Sequence, residues 1–309
     1  MPLDWEGVRA AMFNATVKDF LADGVTRADP FIRVLRTQQR LTRGTGPQLQ
    51  WTAITRLPTT YNIRGFDIFD TAQPDMFQRV FLDWKQKVVP LPIDRITELV
   101  ARNAGENEIF DFISASLENC RSALGEALAT GLYSDGSDPK EIDGLQLAIN
   151  NTGTYAGVTR GAGTPWWNSR LVVNAASAEP TIALFIDYIT SLEMGDVRPD
   201  LIITTRKIYN KIHVEALQNM RYDQGDEVTL GWEFIRVVPY VRLTWSPFVP
   251  TGTAFFLNTK WIKLETLGDF EIEERFPTNQ AAKIFLVFWE GNLAVLNPVY
   301  QGRVANLAE

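Results

Sequence analysis

Residues 108–132, EIFDFISASLENCRSALGEALATGL, decide the architecture. Ile109, Ile113, Leu117, Cys120, Leu124 and Leu128 recur there at spacings of three and four, which places them on one face of a helix. Such a helix runs roughly 37 Å. It is the longest the sequence predicts, with Gly131 or Gly136 available to close it and Gly105 separating it from a short amphipathic stretch containing Ile96, Leu99 and Val100.

Upstream of this helix the chain changes character. Residues 46–92 are broken by Pro47, Pro58, Pro74, Pro90 and Pro92, so no helix of normal length fits between them without a kink. Met76, Val80, Leu82, Trp84 and Val88 share one parity, while Arg79, Asp83, Lys85 and Lys87 share the other, the pattern of a half-buried strand. Residues 49–54 or 61–69 can partner it, giving a long hairpin-like excursion with little helical core potential. Such a segment is easier to explain if it packs on another molecule. Further upstream, Arg33, Arg36, Arg40 and Arg43 recur at helical spacing as a basic stripe. Asp29 and Pro30 read as the cap and first residue of that helix, and Gly44, Gly46 and Pro47 as its end. Residues 5–21 suit a short helix or an arm lying on a neighbour.

Downstream, residues 135–170 are rich in Gly, Asn, Asp and Thr and read as turns around a short apolar run at 142–149, Tyr155 and the pair Trp166 and Trp167. Helices are expected at 180–194, with Ile182, Phe185, Ile186 and Ile189 on one face, and at 205–220, with Ile208, Ile212, Ala216 and Leu217 on one face. A buried strand, 200–204, lies between them. Strands follow at 232–238, 254–257, 262–264, 270–276 and 282–288, and 295–300 comes after a turn at Gly291 and Asn292. The whole is an α+β chain of mixed layers.

Composition limits what such a fold can do. At 309 residues with 45% hydrophobic and 22% charged residues, the chain can bury a real core. The single cysteine, Cys120, excludes an intrachain disulfide and multi-thiolate metal sites. A net charge of −7 argues against sequence-independent nucleic-acid binding as the main task. The N-terminus lacks the layout of a signal peptide, and no apolar run approaches the length of a membrane span.

Catalytic chemistry finds few footholds. His213 is the only histidine, which removes the usual members of a Ser-His-Asp triad or a two-histidine metal site. No GxGxxG, GxxxxGK[ST], HExxH or GxSxG motif occurs. Asp269, Glu271 and Glu273 share one strand face and, alone or with Glu193, could be imagined as a glycosidase-like pair. Their alternation with Phe270 and Ile272 instead predicts a solvated or partner-facing strand edge. The nine tryptophans invite a sugar-stacking reading at Trp166 and Trp167, but their spread along the chain favours core and subunit-interface packing. No catalytic residue, cofactor site or metal site is expected.

Read in order, these parts resemble the major capsid protein of tailed bacteriophages, a fold shared with encapsulins and the herpesvirus capsid floor. The resemblance rests on Ile-Asp-Gly-Leu at 142–145 followed by Trp166, on Pro-Asp-Leu-Ile-Ile-Thr-Thr at 199–205 leading into Lys207 to Tyr209, and on 289–299 near the end. It implies an N-terminal arm (1–45), an extended loop (46–92), a peripheral domain with a spine helix (93–142), an axial domain (143–268) and peripheral return strands (269–309). It also implies self-assembly into pentamers and hexamers of an icosahedral shell around double-stranded DNA contacted non-specifically, in a virion assembled in the host cytoplasm. A portal and a separate scaffolding protein are the other implied partners, with no membrane. Inter-subunit contacts are then expected at Arg33, Arg36, Arg40 and Arg43, at Tyr61, Arg64 and Phe66 of the loop, and at the complementary Glu271, Glu273 and Glu274. The alternatives are an encapsulin-like cellular compartment and, less favoured, a carbohydrate-binding or hydrolase module.

Overall fold

The computed structural model describes residues 28–68, 75–96, 106–220, 235–238, 240–268, 270–275 and 282–309. The expectations for residues 5–21, Leu99, Val100, Trp232, Asp269 and Phe276 fall outside these, as do the side chains of Ile109, Ile113, Leu117 and Leu217.

The first helix, α1 (Pro30–Thr37), starts as the sequence predicts. The Asp29 side chain accepts from the Phe31 N–H at 2.7 Å, and Pro30 occupies a first-turn position where its missing donor costs nothing. Phe31, Ile32, Val34 and Leu35 are buried, so this part of the expected arm is built into the core of its own chain. The helix ends earlier than the arginine spacing suggests. Gln39 adopts a φ of 56°, and the Arg40 N–H closes back on the Leu35 carbonyl at 2.7 Å. Arg40 therefore lies in a turn and Arg43 in β1 (Leu41–Arg43), and the four arginines do not form one helix face.

β2 (Leu49–Ile54) and β3 (Phe77–Leu82) pair antiparallel from Leu49 opposite Leu82 to Ile54 opposite Phe77. Their inner residues Leu49, Ala53, Val80 and Leu82 are buried, whereas Ile54, Phe77 and Phe81 are exposed. The strand expected through 76–88 is two strands, because the chain breaks at Asp83 and Trp84 before β4 (Lys85–Asp94). α2 (Glu106–Leu132) is the long helix, 27 residues, and Cys120, Leu124, Leu128 and Leu132 of its stripe are buried.

The chain continues through α3 (Leu145–Ala148), the small hairpin β5 (Thr154–Tyr155) and β6 (Val158–Thr159), β7 (Leu171–Asn174) and α4 (Ile182–Leu192). β8 (Leu201–Thr204), α5 (Arg206–Met220), β9 (Ile235–Val238), β10 (Val241–Trp245) and β11 (Ala254–Leu257) follow. The last elements are β12 (Ile262–Thr266), β13 (Glu271–Arg275), β14 (Ala282–Val295) and β15 (Gly302–Ala305).

These strands make two main sheets. One is six-stranded in the order β7-β15-β11-β8-β10-β9. Both its faces are covered, so β8 and β11 are buried at every residue, as continuous apolar runs require. Leu201, Ile203, Phe255 and Leu257 join the core that holds α1 and α2, while Ile202, Ala254 and Phe256 pack with Phe185, Ile189, Ile208 and Ile212 of α4 and α5. The other sheet is built on β14. Gly291 pairs with both Lys85 and Thr266, so β4 lies along one edge of β14 and β12 followed by β13 along the other, with β1 parallel to β12. Pro90 and Pro92 sit in β4, which pairs with β14 alone among the described strands, an edge position where a strand tolerates proline.

Two expectations fail in this sheet. Gly291 and Asn292 form no turn but lie inside β14, and 295–300 is not a strand, since Pro298–Tyr300 is a single 3-10 turn capped by Asn297 accepting from the Val299 N–H at 3.1 Å. A Cβ on Gly291 would stand 2.6 Å from the Glu265 carbonyl oxygen and 2.8 Å from the Trp289 ring. The glycine permits close strand packing here rather than a reversal.

Candidate assembly interface

Between β2 and β3 the chain leaves the body of the molecule. No helix or strand is assigned over residues 55–68, and Leu57, Ile63, Phe66 and Ile68 are exposed, Phe66 and Ile68 almost completely at 104% and 99%. Tyr61 and Arg64 stand on the same segment, where Gly65 at φ 65° and the Arg64 N–H on Asp67 Oδ2 at 2.8 Å form a local turn. A run of large apolar side chains on an extended loop costs apolar hydration unless another surface covers it. The outer face of the hairpin continues the patch with Ile54, Phe77 and Phe81. Sequence reasoning named Tyr61, Arg64 and Phe66 of this segment and did not single out the exposed Leu57, Ile63 and Ile68, whose signal is apolar residues in a proline-broken run without helical period.

The charged candidates are spread over α1, the turn after it, β1 and β13. Arg33 and Arg36 stand on α1, half-buried and exposed respectively, Arg40 is half-buried in the turn after it, and Arg43 is exposed on β1 opposite Thr266. Arg33, Arg36 and Arg43 each hold an interaction within the chain. On β13, Ile272 is buried while Glu271 and Glu273 are exposed and Glu274 is half-buried; Arg275 pairs with Glu273 at 2.9 Å. Arg43 and the glutamates thus belong to one sheet, and the alternation read from the sequence is the alternation of buried and exposed positions on β13.

Of the Trp166 and Trp167 pair, only Trp166 is partly exposed. Trp167 is buried, donates its indole N–H to the Tyr155 carbonyl at 3.1 Å and stacks on the Tyr155 ring with centroids 6.0 Å apart. Trp51 bridges in the same way to the Leu296 carbonyl, and with Trp166, Trp261 and Tyr300 it lines an open groove of about 510 Å³ beneath the hairpin. Glu193 accepts from the Tyr240 hydroxyl at 2.5 Å at the C-cap of α4, whereas Glu271 and Glu273 lie on β13, so the three carboxylates are not on one element. His213 stacks against Tyr209, and no metal-ligating cluster of His, Cys, Asp and Glu occurs among the described residues. No described helix is long and apolar enough to cross a membrane.

No protein-family model and no curated protein sequence matches the chain. Solved structures do. A chain of the capsid asymmetric unit of cyanophage A-1(L) superposes with a TM-score of 0.68 over 87% of this chain and 91% of that one, at 13% identity. This chain has the tailed-phage capsid fold. A chain of the capsid of a native GTA particle matches with a TM-score of 0.60 at 11% identity, covering 89% and 90% of the two chains. The SrpI encapsulin of Synechococcus elongatus PCC 7942 matches at 0.55 and 12%, covering 89% and 87%. At such identities the agreement lies in element order and geometry, which is how a capsid fold stays readable when its sequence has diverged.

Proposed function

We propose that this chain is the major capsid protein of a tailed bacteriophage, assembling into pentamers and hexamers of an icosahedral shell around double-stranded DNA. The observation that carries the reading is the extended loop, which exposes Leu57, Ile63, Phe66 and Ile68 outside either core. Among the described residues none covers these side chains, and a neighbouring subunit would bury them. The basic residues of α1 and β1 and the acidic edge of β13 then give each copy two unlike charged patches, as a heterologous, ring-closing contact needs. A scaffolding protein and a portal complete the proposed set of partners, and the DNA is contacted without sequence preference.

Electron microscopy of the purified, concentrated protein tests this directly. Closed shells, or at least pentameric and hexameric rings, are expected; a chain that stays monomeric with and without co-expressed scaffold overturns the reading. Shells that enclose a cargo enzyme and no DNA would assign the chain to an encapsulin-like compartment instead.

A further inference from the structure

Among the described residues β2 pairs with β3 and with no other strand. The Thr55 N–H donates to the Met76 carbonyl at 2.9 Å, and the alternation of an antiparallel ladder then turns the backbone N–H and C=O groups of Gln50, Thr52 and Ile54 away from β3. The other strand obeys the same alternation. Phe81, opposite Gln50, points its N–H out of the hairpin and donates to the Ala156 carbonyl at 3.3 Å. No such partner meets the outward groups of β2 among the described residues. They border instead the groove of about 510 Å³, which touches every residue from Leu49 to Leu57 rather than every second one, and so reaches the edge of the strand and not one face alone. Its other lining includes Trp166, Trp261, packed on Tyr300 with ring centroids 5.4 Å apart, and Lys263 and Glu265 from one face of β12.

An unpaired strand edge beside a wall of aromatic rings suits an extended peptide, because main-chain bonds hold it while its alternate side chains enter the apolar wall. We infer that this groove binds a strand-forming segment of a different protein, which adds to β2 as a third strand with apolar side chains at every second position against Trp51, Trp166, Trp261 and Tyr300. Charge sets its direction. Lys263 and Glu265 stand 4.0 Å apart and offset each other, whereas Arg56, exposed where the groove meets the extended loop, has no ion pair among the described residues. The segment therefore carries a carboxylate where it passes Arg56. A second copy of this chain offers no such strand from its loop. The exposed run from Leu57 to Ile68 is interrupted by Pro58 and by the turn in which the Arg64 N–H meets Asp67. A third strand also supplies what a two-stranded hairpin lacks for stability of its own. The inference does not rest on the shell reading, since the edge, the rings and Arg56 belong to one chain.

Selection from a display library of random peptides about nine residues long, on the immobilised full-length protein, tests this. The enriched sequences should alternate apolar and polar residues and carry Asp or Glu at one end, and titration of the synthetic peptides should change the tryptophan fluorescence. Methylating main-chain nitrogens of the peptide at every second position should weaken binding about tenfold or more in one register and little in the other. Arg56→Glu should weaken it about tenfold. Thr52→Pro, which removes an outward N–H and leaves the β2–β3 ladder intact, should do the same, and the methylated peptides decide alone if that variant fails to fold. A library with no enriched sequence overturns the inference, as does binding indifferent to the methylation register or to Arg56→Glu. A synthetic peptide of residues 57–68 that displaces the selected peptides at equal concentration assigns the groove to a second copy of this chain and overturns it as well.

Discussion

Asp29 ties the start of α1 to Tyr133 and Ser246, far along the chain. It caps α1, accepts from the Tyr133 hydroxyl at 3.1 Å and from the Ser246 hydroxyl, and is fully buried. Burial pushes its carboxyl above the ordinary carboxylate range, against the pull of Ser246, Phe31, Tyr133 and Arg33. The folded chain thus binds the Asp29 proton more tightly than the unfolded chain does. This group's contribution to stability rises as pH falls through the raised folded value toward the unfolded one, and is unfavourable at neutral pH. Asp29→Asn, which keeps a capping oxygen, should gain on the wild type at pH 7 in urea unfolding, and the gap should close on acidification; a gap independent of pH overturns the assignment. Asp29→Ala should cost about 3 kcal/mol by the same measurement, since it removes the cap and leaves buried hydroxyls unpaired. The cap was legible because Asp-Pro before an apolar run is a local signal. Its partners were not, since they lie 104 and 217 residues away along the chain.

Elements were legible where one face repeats with a fixed period, as in α2, or where a short apolar run is continuous, as in β8 and β11, and illegible where the chain leaves an element without a signal in residue type. The arginine spacing ran past the end of α1 because nothing in Gln38-Gln39-Arg40 marks a stop, and only the backbone at Gln39 shows it. Gly291 misled in the opposite direction, because glycine also marks tight packing inside a strand. Gly291→Val should therefore destabilise by about 2 kcal/mol or more in chemical denaturation, the range of core overpacking; a glycine in a true turn at φ below zero would accept valine with little loss. The extended loop predicts the reverse balance. Deleting residues 59–71 should leave the thermal unfolding transition of the monomer unchanged while abolishing particles in electron microscopy, since Ile63, Phe66 and Ile68 belong to neither core. Unfolding of the truncated chain would place the loop in the core after all.

For the whole molecule, the two-sheet architecture was readable as an α+β chain, but the way the sheets share one core was not, because α1 and α2 bury against both through contacts far apart in sequence. The same distance effect hides from the sequence which charged patches would meet in the proposed assembly. Glu271 and Glu273 are exposed and Ile272 beneath them is buried, so reversing both to lysine leaves the packing of β13 intact. The double variant should then unfold within about 0.5 kcal/mol of the wild type, as surface substitutions do. Assembly should respond differently, because each shell repeats the contact at every interface and small losses per contact multiply. Charge pairs across a rim act over roughly 8 Å at physiological salt, so light scattering should show wild-type assembly slowing as salt rises and the lysine variant failing at low salt. Reversing Arg36 and Arg43 to glutamate in the lysine background should restore assembly if these patches face each other. Recovery in the quadruple variant with loss in each double variant identifies the pairing, whereas unchanged assembly in both doubles removes the charged patches from the interface and leaves the loop to carry it.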